Sequence, residues 1–172
     1  MFLQFSCKNH RSIKNEVVFS TVSTSDTEHI ETLIDFDEQK ILRTAEIYGA
    51  NGSGKTSLLN ALSQMQAIIV NSINHQPGDG IVRFPHKLAM KEPTEFVCIF
   101  ERHNIKYSYQ FSYDETGILS EALFYWPNGR VAKIFERDNK TFSYNEKYQK
   151  YTEATQIKLK NNRLLLSVAA NN

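Results

Sequence analysis

The chain has 172 residues, with 20 Lys plus Arg against 19 Asp plus Glu. This length suits one domain with a sizeable core. The balanced charge excludes a globally basic nucleic-acid-binding protein, so nucleic acid is not indicated as a partner. Cys7 and Cys98 lack C-x-x-C spacing, which gives no sign of a disulfide framework or a zinc site. Neither a signal peptide nor a run of ~18 apolar residues is present, so we expect a cytoplasmic protein without a membrane segment.

Short alternating stretches dominate the first 48 residues. Residues 2–6 and 16–20, joined by a polar link, predict an antiparallel pair of strands. Residues 20–29 are rich in Ser, Thr and Asp and predict a loop. Residues 33–38 read LIDFDE, which we interpret as an exposed strand or loop end, the alternative being a metal-ligating strand. Residues 41–48 predict a strand that leads into the next motif.

A glycine-rich stretch, residues 49–56, reads GANGSGKT and fits G-x-x-x-x-G-K-[ST] at every fixed position. Apolar residues at helical spacing follow it and predict a helix over residues 54–71. Backbone N–H groups in such a loop, together with the positive end of the helix dipole, form an anion site. The pattern therefore predicts a loop that binds the phosphates of a nucleoside triphosphate, preceded by a strand and followed by a helix.

Each residue type in this loop has a chemical reason to be there. Gly49, Gly52 and Gly54 permit positive φ angles and close approach of the backbone to a phosphate. Lys55 would reach the β- and γ-phosphates, and the Thr56 hydroxyl would ligate Mg²⁺. The alternative is a glycine-rich turn before an ordinary helix, with Lys55 solvated. Both ATP and GTP fit the pattern, because no base-specific pocket is recognisable.

Beyond residue 93 the period of the apolar residues changes to two. Strands are predicted near residues 96–101, 105–113, 118–126, 130–137 and 140–144, separated by turn-forming residues. This spacing indicates an antiparallel meander with one buried face. The row Tyr107, Tyr109, Phe111 and Tyr113 is interpreted as part of that face. The alternative is a platform that stacks the bases of single-stranded nucleic acid, but no cluster of basic residues accompanies it.

The C-terminal part contrasts a polar stretch with an apolar one. Residues 144–160 predict a loop or a frayed helix. Residues 163–170, RLLLSVAA, begin a helix-like apolar run just before the last residue, Asn172. We expect this run to remain exposed and to drive self-association, which changing Leu165 and Leu166 to Ser would reverse.

Several motifs together resemble a known family. Residues 49–57 also fit G-x-x-G-x-G-K-[ST]-[ST], the form found in ABC-type ATPases. Residues 5–13, FSCKNHRSI, are similar to the "strand, Asn-Phe-Arg-Ser, strand" signature of the SMC/RecF-like branch. Residues 93–96 with the meander, and residues 162–167, resemble its bacterial defence-associated, OLD-like AAA-family members. His10 stands where that family usually has Phe, which leaves the packing of this turn open.

The resemblance implies a fold and a set of ligands. The fold is α/β, an ABC-type P-loop NTPase lobe with a strand–loop–helix core and an antiparallel meander. Residues 1–172 form one N-terminal ATP-binding lobe, in which residues 1–74 carry the loop, 94–144 the meander and 161–172 the start of a helical lobe. The cofactors are ATP and Mg²⁺, with Thr56 as metal ligand. The nucleotide-binding residues implied are Arg11, Asn51, Gly52, Ser53, Gly54, Lys55, Thr56 and Ser57. For Arg11 the alternative is a solvated turn residue.

The resemblance also implies what this sequence lacks. Members of the family hydrolyse ATP with a glutamine loop, a Ser-Gly signature from the opposite subunit, an apolar strand ending in Asp-Glu and a switch histidine. None of these occurs here, so no catalytic residue is identified and we expect ATP binding without turnover. A homodimer formed through the nucleotide face and a nuclease effector are implied for a complete protein. The rivals are a small nucleotide kinase, whose loop lies at the start of the chain, and a non-hydrolytic nucleotide-sensing or interaction module.

Overall fold

A computed structural model describes residues 1–24, 29–150 and 159–171. Within these residues, seven strands form one antiparallel sheet and two further strands form a separate hairpin. The order in the large sheet is β2-β1-β5-β6-β7-β8-β9, so β5 returns from the middle of the chain to pair with the N-terminal strand. The predicted mixed α/β fold with an antiparallel meander is confirmed.

The strands and helices have the following bounds. The strands are β1 Phe2–Lys8, β2 Val17–Ser20, β3 Ile34–Phe36, β4 Gln39–Ile41, β5 Thr94–Arg102, β6 Ile105–Tyr113, β7 Ile118–Trp126, β8 Ala132–Asp138 and β9 Thr141–Tyr144. The α-helices are α1 Lys55–Asn71 and α2 Leu165–Ala170. Short 3₁₀ helices cover Ile30–Thr32, Ser72–Asn74 and Glu146–Tyr148.

The meander follows the period-two pattern of its sequence. Strands β5 to β9 pair in chain order, with Phe96 opposite Phe111 and Cys98 opposite Tyr109. Alternate side chains therefore point to one face, where Phe96, Phe111 and Tyr113 pack as an aromatic cluster with ring centroids 5.6 to 5.9 Å apart. Tyr109, Phe111 and Tyr113 are buried. This burial confirms the packed face and leaves these three rings unavailable for base stacking.

Helix α1 covers this aromatic face. Its buried residues Ala61, Met65 and Ile68 recur at helical spacing and belong to the same apolar cluster as Phe5 and Phe96. One side of a 17-residue helix thus seals the centre of the sheet. Because the phosphate loop leads directly into α1, the packing of α1 on the sheet fixes the position of that loop.

The hairpin β3–β4 packs on a second, smaller apolar cluster. An irregularity in the pairing of β1 with β5 lies between Phe2 and Gln4. A bulge of this kind inserts one residue and redirects its side chain, and Leu3 packs with Phe36 and Ile41 of the hairpin. The expected strand at residues 33–38 is therefore present, as one arm of this hairpin.

The predicted strand at residues 41–48 is wrong, since only Ile41 belongs to a strand. Strand β4 ends at Ile41, and residues 44–50 have no regular secondary structure. The physical reason is pairing: backbone in the β region becomes a strand only when a neighbouring strand accepts its hydrogen bonds. Among the described residues, no strand lies beside residues 44–48, and Tyr48 is largely exposed.

The expectation that residues 163–170 stay exposed is wrong. Leu164, Leu165 and Val168 are each at most 1% exposed. The segment packs against the 3₁₀ turn that follows α1, where the Leu164 N–H donates to Ser72 Oγ at 3.2 Å. The chain itself therefore covers Leu164, Leu165 and Val168, whereas Leu166 is half-buried, so the predicted self-association loses its support from Leu165.

A buried carboxylate anchors this C-terminal segment. Glu121 on β7 is fully buried and accepts hydrogen bonds from the N–H groups of Leu165 at 2.7 Å and Leu166 at 3.0 Å. It also accepts one from the Tyr109 hydroxyl at 2.8 Å, and the Arg137 guanidinium lies 4.0 Å away. Burial raises the pKa of Glu121 and lowers that of Arg137. The carboxylate thus supplies acceptors for the free N–H groups at the start of α2.

Two predicted loops reach beyond the described residues. The prediction for residues 20–29 covers residues 25–28, and that for residues 144–160 covers residues 151–158, both of which lie outside the described part. In the part of the chain that is described, no helix is long and apolar enough to span a membrane.

Candidate nucleotide-binding site

The glycine-rich loop of residues 49–54 connects the extended segment to α1. Gly52 and Gly54 have φ angles of 83° and 97°, a region that side-chain-bearing residues seldom adopt. The Ser53 N–H donates to the Ala50 carbonyl at 3.2 Å and closes a turn. Helix α1 then begins at Lys55, and its N-cap Gly54 has no side chain to occupy the first N–H groups. These donors therefore stand at the mouth of the loop, where an anion would meet them.

The side chain of Lys55 lies across the loop. Its ammonium donates to the carbonyl of Gly49 at 2.6 Å and to that of Ala50 at 2.8 Å. An ammonium has three donors, so one N–H remains for a further acceptor. The positive charge is thus held against the loop by the loop's own carbonyls.

Two cavities flank the loop. One, of about 390 Å³, is lined by Ser12 and by every residue from Asn51 to Ser57. The other, of about 510 Å³, is lined by residues 12–17, 47–49, 53–55 and Leu58. Ser12, Ser53, Gly54 and Lys55 line both. The structure therefore brings the seven predicted loop residues together around one opening, with a second space beside it.

A third cavity, of about 400 Å³, includes Gly117 and Arg137 in its lining and shares no residue with the loop. Arg137 directs its guanidinium to backbone carbonyls, including those of Arg163 at 2.9 Å and Asn139 at 3.1 Å. These bonds tie the C-terminal segment to β8. The cationic group is used for structure, and we assign no ligand to this cavity.

The N-terminal signature contributes Ser12, rather than Arg11, to the loop. Ser12 Oγ lies 2.7 Å from Ser57 Oγ and would be 3.4 Å from a Cβ added at Gly54. The Arg11 guanidinium instead lies 4.8 Å from the centre of the Phe84 ring, and Arg11 lines neither cavity at the loop. The sequence analysis gave Ser12 no role, although its position directly after Arg11 in the N-terminal signature could have indicated that it lies near the loop.

The same turn contains two buried polar residues. The Asn9 amide donates to the carbonyls of Ala89 at 2.9 Å and Glu92 at 2.6 Å, and its oxygen accepts from the His86 N–H. His10 is fully buried, and burial together with the charge of Arg11 lowers its pKa to about 4. Neither imidazole nitrogen of His10 has a partner among the described residues. Asn9 therefore fixes the turn that delivers Ser12, whereas His10 fills an apolar space.

Candidate metal ligands are few among the described residues. Among the described residues, no group of three or more His, Cys, Asp or Glu side chains could hold a metal ion. The metal-ligating alternative for residues 33–38 is thereby unsupported, and Asp35 pairs with Lys40 at 2.5 Å across the hairpin. Mg²⁺ in nucleotide sites takes one or two protein ligands and completes its shell with phosphates and water. The exposed hydroxyl of Thr56, in the lining of the smaller cavity, fits that requirement.

A comparison with protein families finds one match that covers most of the chain. Residues 47–172 match the family described as "AAA domain, putative AbiEii toxin, Type IV TA system". The chain therefore belongs to this AAA-domain family, in the P-loop NTPase superfamily, whose fold and glycine loop serve nucleotide binding. A comparison with curated proteins finds no match. The matched region begins after the N-terminal signature, so it supports the ABC-like P-loop assignment and leaves the OLD-like branch as a resemblance.

Proposed function

We propose that the chain binds Mg·ATP at the loop of residues 49–57. The observation that carries this proposal is the joint placement of Gly52, Gly54 and Lys55. Two positive-φ glycines aim the loop at the N-terminus of α1, and the Lys55 ammonium lies above it. The triphosphate would bind over residues 51–57, in the smaller cavity. Backbone N–H groups and Lys55 supply positive charge there, and Thr56 is the proposed protein ligand of Mg²⁺.

The larger neighbouring cavity would receive the ribose and base. It adjoins the phosphate cavity through Ser12 and Gly54, and it has apolar walls at Ile47 and Leu58. Apolar walls with few convergent polar groups are typical of ligand pockets. The choice of ATP over GTP rests on the family resemblance.

Turnover is proposed to need parts that this sequence does not contain. Phosphoryl transfer to water depends on a group that orients the attacking water. The lining of the phosphate cavity contains no carboxylate. Glu16 lines the neighbouring cavity, but its carboxylate accepts the Ser6 hydroxyl at 2.8 Å. The chain alone would therefore bind nucleotide without steady hydrolysis. In a complete ABC-type protein, a homodimer closed through the nucleotide face would hydrolyse ATP and act on a nuclease or other effector in defence or DNA transactions.

A calorimetric titration with Mg·ATP tests the proposal. The Lys55→Ala variant should bind about 10- to 150-fold more weakly, because it loses a charge-assisted contact worth roughly 1.5–3 kcal/mol. Lys140→Ala, an exposed lysine in the turn between β8 and β9, is the matched control and should bind as the wild type does. Titration with GTP under the same conditions measures base preference.

Two results would contradict this proposal. One is the absence of binding by a folded wild-type chain, and the other is equal affinity of the wild type and Lys55→Ala. Steady phosphate release that Thr56→Ala abolishes would instead contradict the proposed lack of turnover. It would leave the binding site in place and show that the chain carries a catalytic group of its own.

A further inference from the structure

A loop beside the N-terminal signature exposes several large apolar side chains. This apolar loop, residues 82–90, precedes β5 and reads VRFPHKLAM. The exposed fractions are 63% for Val82, 78% for Leu88 and 56% for Met90, while Phe84 is 40% exposed. Single exposed apolar residues are common on protein surfaces, but four within nine consecutive positions form an unusual concentration.

Hydrogen bonds from two side chains, Asn9 and Arg83, fix the backbone of the apolar loop. The Asn9 side chain binds backbone groups in the middle of the loop, at the His86 N–H (2.8 Å), and near its C-terminal end, at the Ala89 carbonyl (2.9 Å). Arg83 has a nearly buried side chain and donates to the carbonyls of Met90, at 2.9 Å, and Glu92. These bonds cross from one limb of the loop to the other. The exposed side chains are thus presented by a fixed backbone, and a partner would lose little free energy in ordering it.

The apolar loop and Lys91 after it carry only positive charges, while Glu92 follows directly and Glu115 lies beside Arg83. Residues 82–91 contain Arg83, Lys87 and Lys91 and no Asp or Glu. Within the described residues, Lys87 and Lys91 take part in no ion pair, in contrast to Arg83, which pairs with Glu115 at 3.2 Å. Arg11 adds a further cation over Phe84. The surface therefore combines exposed apolar side chains with two lysines, Lys87 and Lys91, with which no described carboxylate pairs.

We propose that the apolar loop docks an acidic protein segment that also carries apolar side chains. Apolar residues of such a segment would cover Leu88 and Met90, and its carboxylates would meet Lys87 and Lys91, which matches the charge of this surface. A symmetric contact between two copies would place these lysines close to their own equivalents, which is unfavourable. Phosphates of a nucleic acid would satisfy the lysines, but phosphates offer no apolar surface to Val82, Leu88 and Met90.

Selection from a random peptide library tests the proposal with a defined probe. Peptides of about 16 residues, long enough for roughly four helical turns, are selected on the full chain and counter-selected on Leu88→Ser/Met90→Ser. The expected winners contain both Asp or Glu and large apolar residues. Their affinity should fall at least about 10-fold on Leu88→Ser/Met90→Ser and on Lys87→Glu/Lys91→Glu. Val131→Ser, which removes an exposed apolar side chain elsewhere, should leave binding unchanged.

The same variants also test the other ligands that this surface could bind. No enrichment, enrichment of peptides without acidic residues, or equal binding by the two double variants would overturn the proposal. Binding of a single-stranded oligonucleotide of about 20 nucleotides, lost in both double variants, would assign the surface to nucleic acid instead. A dimer seen by sedimentation and abolished by Leu88→Ser/Met90→Ser would assign it to a second copy. Circular dichroism of each variant verifies that it remains folded.

Discussion

Replacing His10 by Phe should make the stability of the chain less sensitive to acid. The His10 ring is fully buried, with the Phe96 centroid at 5.9 Å and the Phe84 centroid at 6.2 Å. A charged imidazole in this apolar space would lack both water and a hydrogen-bond acceptor. Burial and the neighbouring Arg11 charge therefore lower its pKa from the ordinary value of 6.5 to about 4.

The sign and size of the effect follow from proton linkage. Between pH 6.5 and 4 the unfolded chain binds the proton at His10 and the folded chain does not, so the free energy of unfolding falls as the pH falls through this window. With a pKa of 6.5 in the unfolded chain and about 4 in the folded chain, the free energy of unfolding at pH 5.0 is about 2 kcal/mol lower than at neutral pH, given that one pKa unit is worth about 1.4 kcal/mol. Well above pH 6.5 His10 is neutral in both states, and the chain keeps its full free energy of unfolding. Phe cannot be protonated, so the variant should lack this loss.

Urea unfolding of the wild type and His10→Phe at pH 7.5 and pH 5.0 measures the difference. The wild type should lose about 2 kcal/mol more than the variant between the two conditions. His29→Asn is the matched control, because His29 is exposed and its left-handed φ of 57° is tolerated by Asn. This control should lose as much stability as the wild type. Equal losses for the wild type and His10→Phe would refute the reasoning, and so would a ring pKa near 6.5 measured by NMR.

Three other variants address the site and the core. Ser12→Ala should weaken Mg·ATP binding, measured by calorimetry, about 2- to 10-fold because it removes the hydrogen bond to Ser57. The control Ser63→Ala, on the exposed side of α1, should leave the affinity unchanged. Equal affinities of the wild type and Ser12→Ala would remove Ser12 from the site. Glu121→Ala should cost about 3–5 kcal/mol in urea unfolding because it leaves Arg137 buried without its carboxylate. Glu136 lies on the next strand and forms an exposed ion pair with Lys133, so Glu136→Ala should lower the free energy of unfolding by less than about 1 kcal/mol. Similar losses for Glu121→Ala and Glu136→Ala would contradict the anchoring role of Glu121. Phe111→Ala should cost about 3–5 kcal/mol, whereas a neutral melting effect with lost binding to single-stranded DNA would support the stacking platform.

Local sequence patterns were sufficient for the meander and for α1. Alternation from Phe96 to Tyr113, with turn formers at each end, leaves a strand as the conformation that buries one side. Helix α1 was predicted within one residue of its start, because its apolar residues recur every three or four positions. The glycine loop was recognisable for a related reason, since its backbone geometry depends on which residues lack a Cβ. All of these features depend on neighbours in the chain.

The remaining features depended on partners far away in the sequence. Residues 44–48 have strand-like composition, yet no strand pairs with them in the part of the chain that is described. The apolar run at residues 163–170 was expected to be exposed, but Glu121, 44 positions before Leu165, supplies the acceptors that dock it. For Arg11 the sequence left a nucleotide contact and a solvated turn residue as alternatives, and only the fold shows that its guanidinium lies over the ring of Phe84.

The sequence by itself determined that this chain carries a phosphate loop at the start of a helix and an antiparallel meander. Tertiary structure alone decided that Ser12 faces the loop, that His10 is buried without a partner and that the C-terminal leucines are covered. Periodicity and glycine placement are properties of local backbone geometry, so they can be read along the chain. Burial and hydrogen bonding between distant segments depend on which surfaces meet after folding, and no single stretch of sequence specifies that.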